Sequence, residues 1–265
     1  MAGIFRGQGS SVARSLARLP ALLFAVLANP QAMAQLSEQP MLVVEPGMHA
    51  GLIRDVAVDA AGRLAVTGSW DKTVRLWSLT DGKLLQTIRM PAGLGDIGKI
   101  YAVAMSPDGA LVAAGGWTRW TTDAPEESIY LFETRTGKMT ARIAGLPDVT
   151  TSLAFSSDGR YLAAGLFGRG GVRVYDRDRQ WSEVFRDTDY GDSISIYGAT
   201  FAADGRLATA SLDGKVRLYD HDFKLVVPPT ATGGAKSYRI AFSPDGTILA
   251  VGYDDAATVD LFEGH

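Results

Sequence analysis

Five stretches of the chain alternate apolar and polar positions in the same way. They are "VAVDAAGRLAVTG" (56–68), "VAMSPDGALVAAG" (103–115), "LAFSSDGRYLAAG" (153–165), "ATFAADGRLATAS" (199–211) and "IAFSPDGTILAVG" (240–252). Each reads as strand, tight turn, strand, with glycine supplying a positive φ and proline presetting a turn angle. The turn glycines fall at Gly62, Gly109, Gly159, Gly205 and Gly246, in steps of 47, 50, 46 and 41 residues. A third run with period two follows every pair: "VRLWS" (74–78), "IYLFE" (129–133), "VRVYD" (172–176), "VRLYD" (216–220) and "VDLFE" (259–263). That period predicts half-buried strands, each carrying an aromatic at the same register: Trp77, Phe132, Tyr175, Tyr219 and Phe262. A fourth strand is expected at "KLLQTI" (83–88), "KMTARI" (138–143) and "FKLVV" (223–227), with "WSEVF" (181–185) a less regular one.

A four-stranded unit recurring at this length predicts a propeller blade. The expected fold is therefore all-β: a β-propeller of about five blades over residues 46–90, 95–145, 148–188, 192–230 and 235–265. The pattern resembles the WD40 family across roughly residues 41–265, most fully in "TGSWDKTVRLW". His49, Thr67, Asp71 and Trp77 match the family's His–Ser/Thr–Asp–Trp hydrogen-bond set, although "GMH" at 47–49 stands where Gly-His is usual. Unit four keeps Thr209 and Asp213, has Tyr219 for the tryptophan and lacks the histidine. The other units depart further. "MLVVE" (41–45) reads as a lone strand. It is expected either to complete unit five, which stops after its third strand, or to pair with a blade of a longer parent protein.

From turn glycine to third-strand aromatic, the units span 15, 23, 16, 14 and 16 residues. Unit two therefore carries an insertion of about eight, within "GGWTRWTTDAPEES" (115–128). The resemblance places such turns on the partner-binding face. Trp117, Arg119 and Trp120 then become candidate contacts, or the loop folds back and buries its own tryptophans. Trp70, Phe167, Arg169, Leu212 and Tyr253 stand at the corresponding tips of the other units. First strands line the channel, so Arg54, Tyr101, Thr151, Tyr197 and Tyr238 are expected at its mouth, or packed between blades.

The first 34 residues differ from the rest. Arg6, Arg14 and Arg18 precede "LPALLFAVLA" (19–28), and Ala32 and Ala34 precede Gln35. This is the order of a secretory signal peptide, too short to span a membrane. It gives a mature chain of residues 35–265 and a periplasmic or secreted location. Without those three arginines, 23 basic residues face 29 acidic ones, a net charge of −6. That balance argues against nucleic acid as a partner. There is no cysteine, hence no thiol nucleophile and no disulfide. His49, His221 and His265 are the only histidines, and no metal-ligand spacing, phosphate loop or Gly-x-Ser-x-Gly elbow occurs. Asp59, Asp108, Asp158, Asp204 and Asp245 recur once per unit as turn formers. No cofactor or metal is expected. The leading expectation is a non-catalytic, exported bacterial WD40-type scaffold that binds protein or peptide. The alternative is a sensing or scaffold segment of a larger bacterial enzyme, such as a WD40–caspase-like peptidase fusion.

Overall fold

The turn glycines decide where each sheet folds back. In the computed structural model, which describes residues 47–119, 126–191, 194–234 and 236–264, all five have φ between 62° and 92°. A side chain at such a φ is strained, and glycine is not. Three of these turns share one lock. The hydroxyls of Ser106, Ser156 and Ser243 donate to Oδ1 of Asp108, Asp158 and Asp245 at 2.5 Å. The same serine oxygens accept the amides of Leu111, Tyr161 and Ile248 at 2.8–2.9 Å, where the next strand begins. In the first repeat Asp59 replaces the serine and accepts the amides of Arg63 and Leu64.

The strands form five antiparallel sheets. Blade 1 comprises β1 (Ile53–Val58), β2 (Leu64–Ser69), β3 (Thr73–Ser78) and β4 (Leu84–Arg89). Blade 2 comprises β5 (Ile100–Met105), β6 (Leu111–Gly116), β7 (Glu127–Glu133) and β8 (Met139–Leu146). Blade 3 comprises β9 (Thr150–Phe155), β10 (Tyr161–Leu166), β11 (Val172–Asp176) and β12 (Ser182–Asp187). Blade 4 comprises β13 (Ile196–Phe201), β14 (Leu207–Ser211), β15 (Lys215–Tyr219) and the two-residue β16 (Thr230–Ala231). Blade 5 comprises β17 (Ser237–Phe242), β18 (Ile248–Tyr253) and β19 (Val259–Glu263).

First strands pack on first strands, β1 on β5, β5 on β9, β9 on β13 and β13 on β17, which is the arrangement of propeller blades. Four apolar cores fill the spaces between successive blades. Small residues set the spacing: a Cβ on Gly68 would lie 2.6 Å from Val103 and 2.7 Å from Ile100. Among the described residues no such core joins blade 5 to blade 1. On that side Val56 is 61% exposed on β1 and Leu261 68% exposed on β19, with Val58 and Val259 also in solvent.

One expected strand is different. "FKLVV" makes only an isolated bridge, Tyr219 to Leu225, and the ladder beside β15 is β16 instead. Phe223 has a φ of 62°, and its ring turns inward onto Phe185 and Tyr161. Pro228 and Pro229 then interrupt the run, since proline cannot donate to a ladder. The segments read as a signal peptide (1–34) and as "MLVVE" lie outside the described residues.

Candidate functional site: the face of the hairpin tips and first-strand entries

In an antiparallel unit the start of the first strand and the turn between the second and third lie at the same end. Ile53 at the head of β1 pairs with Ser69 at the foot of β2, and the same register recurs in Ile196–Ser211 and Ser237–Tyr253. That topology brings the two sequence registers onto one face.

Arg54 is the hub of that face. Its Nη2 donates to the Tyr238 hydroxyl at 2.7 Å. Its guanidinium carbon lies 5.3 Å from the Tyr101 ring centroid and 5.7 Å from that of Trp70. Trp70 and Tyr101 pack at 5.6 Å, and Tyr197 stacks on Tyr238 at 4.6 Å with the planes 20° apart. Cation–π contacts of this kind contribute roughly 0.5–2 kcal/mol. Burial pushes the Tyr197 phenol above its usual range, and the neighbouring Tyr238 adds to this. Lys99, which the sequence reading passed over, places Nζ 4.7 Å from the Trp70 centroid. Thr151 does not join the cluster: it is buried and donates to the carbonyls of Gly165 and Ile196, tying blade 3 to blade 4.

The root of the insertion continues the same surface. The Trp117 amide donates to the Lys99 carbonyl at 3.0 Å, and its own carbonyl accepts from Gly98. Trp117 is half-buried, with the Arg119 guanidinium carbon 5.8 Å from its ring centroid. Arg119 is held by Glu127, a fully buried carboxylate, at 3.0 Å. Glu127 also accepts the Thr118 amide, and Thr118 Oγ1 exchanges hydrogen bonds with the Ser128 backbone at 2.7 Å. Glu127 therefore anchors the insertion, and β7 starts two residues earlier than "IYLFE". The sequence signal for it was an acid flanking an arginine-bearing insertion. Trp120 lies outside the described residues.

The remaining tips are separate. Phe167 and Arg169 are exposed, and Leu212 is half-buried. The Tyr253 hydroxyl donates to Asp260 at 2.5 Å, and its ring lies against Gly234.

Behind this face, His49, Thr67, Asp71 and Trp77 form one hydrogen-bonded chain. Trp77 Nε1 donates to Thr67 Oγ1 at 2.8 Å, and Thr67 and His49 Nε2 lie 2.7 Å apart. His49 Nδ1 and Asp71 Oδ2 are 2.8 Å apart. The indole can only donate and the carboxylate only accept. Nδ1–H therefore donates to Asp71, and in the neutral imidazole Nε2 then accepts from the Thr67 hydroxyl. Burial pushes the Asp71 carboxyl up, but hydrogen bonds from Thr73, His49 and the Ala50 amide outweigh it and hold it below the usual range. In blade 4 Tyr190 takes the histidine's place, 2.8 Å from both Thr209 Oγ1 and the Tyr219 hydroxyl, while Tyr219 donates to Asp187 at 2.7 Å. Among the described residues no group of three or more His, Cys, Asp or Glu is placed to hold a metal, and no helix is long and apolar enough to cross a membrane.

The WD domain, G-beta repeat family matches residues 43–78, 145–176 and 186–220, which include the first three strands of blades 1, 3 and 4. This chain carries WD40 repeats. It is similar to the WD repeat-containing protein SL1-17 of Schistosoma mansoni, at 30% identity over 69% of this chain and 55% of that protein. It also resembles the small ribosomal subunit protein RACK1y of rice, at 29% identity over 58% of this chain and 43% of that protein. The eukaryotic translation initiation factor 3 subunit I of Candida glabrata is 27% identical over 82% of this chain and 64% of that protein. The chain thus spans about half the length of the first of these relatives and less of the second. These relatives of the WD40 repeats are eukaryotic proteins of the cytosol and nucleus, and they overturn the periplasmic or secreted location expected above. A few arginines ahead of a ten-residue apolar run and two alanines are common residue types, and that pattern is too weak to set against the relatives.

Proposed function

We propose that this chain is a non-catalytic WD40-repeat scaffold that binds protein or peptide through the face bearing the second-to-third-strand turns and the 115–128 insertion. The observation that carries the reading is one connected surface. It runs from Trp117 and Lys99 through Trp70 to Arg54, Tyr101, Tyr238 and Tyr197. Half-buried tryptophans, tyrosines and an arginine are the residue types that dominate binding energy at protein interfaces. The RACK1y and initiation factor subunit relatives are, by their names, components of translation assemblies, which agrees with a scaffold role.

Panning a displayed peptide library against the immobilised protein tests the reading. Changing Trp117 and Trp120 together to Ala is expected to weaken capture of the selected peptides about tenfold or more. The melting temperature should stay within about two degrees, as for surface substitutions. Unchanged capture would place binding elsewhere, and a large thermal loss would make the loop a structural element.

A further inference from the structure

The mouth of the unfilled space between blades 5 and 1 holds an imbalance of charge. A cleft of about 350 Å³ there is lined by Ile53, Arg54, Asp55, Val56 and Arg239. Its one carboxylate is already engaged. Asp55 Oδ1 pairs with Arg239 Nη2 at 3.3 Å, and Oδ2 accepts the Val103 amide at 3.0 Å. Arg54 has no ion pair among the described residues. It feels the charge of the neighbouring Asp55, more weakly than Arg239 does, but its direct contacts are a neutral phenol and two aromatic rings, and its Nε finds no acceptor. The indole Nε1 of Trp70, in the same cluster, also has none. Arg239 Nη2 also reaches the Arg54 carbonyl at 3.2 Å; with its charge matched by Asp55, the lining keeps an excess of one positive charge.

A cation in partly desolvated surroundings is stabilised by an anion and by acceptors for its N–H groups. Tyr238, Tyr101 and Trp70 all contact the guanidinium, and Arg54 lines the cleft together with the apolar Ile53 and Val56. From this we infer that Arg54 is the subsite for a carboxylate side chain of an acidic peptide, entering along the cleft between blades 1 and 5. The inference rests on the peptide-binding reading of this face. Binding to a chain of net negative charge must be local, because the protein as a whole repels an acidic ligand.

Fluorescence anisotropy with labelled hexaglutamate, hexaglutamine and hexaphosphoserine peptides tests it. Hexaglutamate is expected to bind the wild-type protein about tenfold or more tighter than hexaglutamine, the scale of one hydrogen-bonded charge pair. Arg54→Met is expected to bring that ratio to about one, and Arg54→Lys to keep part of it. Arg177→Met, an exposed arginine away from the cleft, should leave it unchanged. A glutamate preference that survives in Arg54→Met, with the variant melting like wild type, overturns the subsite. Equal binding of hexaglutamine and hexaglutamate overturns the acidic preference but leaves the peptide-binding face intact. Failure of every panned peptide to bind removes both. Tighter binding of hexaphosphoserine through Arg54 would assign the subsite to phosphate and overturn the carboxylate assignment.

Discussion

At the residue scale, two hydrogen-bonded polar arrangements brace the blades. The first is the chain Trp77–Thr67–His49–Asp71, in which every donor has an acceptor. His49→Ala breaks it in the middle, stranding Thr67 and Asp71. It is expected to cost about 1–3 kcal/mol in urea unfolding, the range for buried polar groups left unpaired. The second is the Glu127–Arg119 pair. Arg119→Ala leaves a fully buried carboxylate without its ion pair and is expected to cost about 3 kcal/mol. Adding Glu127→Gln should recover part of that loss, because an amide tolerates burial better than a charge. If the two changes are simply additive, Glu127 is not held by Arg119. The spacing of His49, Thr67, Asp71 and Trp77 was legible in the sequence because a repeat supplied the frame. Lys99 was not, because Trp70 is brought to it only by folding, and Glu127 was visible only as one of several acids beside the insertion.

At the element scale, the Ser-x-Asp-Gly turns explain both the regularity of the blades and a pH dependence. The Ser106 hydroxyl and then the Ala110 amide hold Asp108 below the usual carboxylate range. Ser243 does the same for Asp245, with Thr247 adding to it, and takes that group to about 2. Carboxylates depressed in the folded state stabilise it above their unfolded value, about 3.9, and lose that contribution as pH falls through the folded values. Thermal stability is therefore expected to decline from about pH 5 downward and most steeply between about pH 4 and pH 2. Ser106→Ala and Ser243→Ala together should flatten that decline, and an unchanged profile would assign acid sensitivity to other groups. Strand positions were legible wherever period two and a turn glycine coincided. The failure at "FKLVV" has a physical cause, since aromatic packing of Phe223 and the following prolines outweigh local strand propensity.

At the scale of the whole blade array, four interblade cores are filled, and the space between blades 5 and 1 has no apolar core among the described residues. Side chains on the two sides of one blade then differ sharply in worth. Leu249, buried against blade 4, is expected to cost about 2–5 kcal/mol when changed to Ala. Leu261, on the other side of blade 5, should tolerate Lys within about 0.5 kcal/mol. Equal penalties, read by urea unfolding, would show that the space is filled in solution. Repeat length revealed the blades, and a shared first-strand register gave Arg54, Tyr197 and Tyr238 equivalent places at the channel mouth or between blades, but it did not reveal which of these side chains touch. Their meeting follows from the return of the fifth blade toward the first, a long-range property of the array.

The central claim is that partners dock on the face carrying Arg54, Trp70, Tyr101, Trp117, Tyr197 and Tyr238. Hydrogen–deuterium exchange with and without a panned peptide measures this directly. The account predicts new protection at the heads of β1, β5, β13 and β17 and around residues 69–73 and 115–119. Protection confined to the opposite turns, around residues 59–63, 106–110 and 243–247, would contradict it.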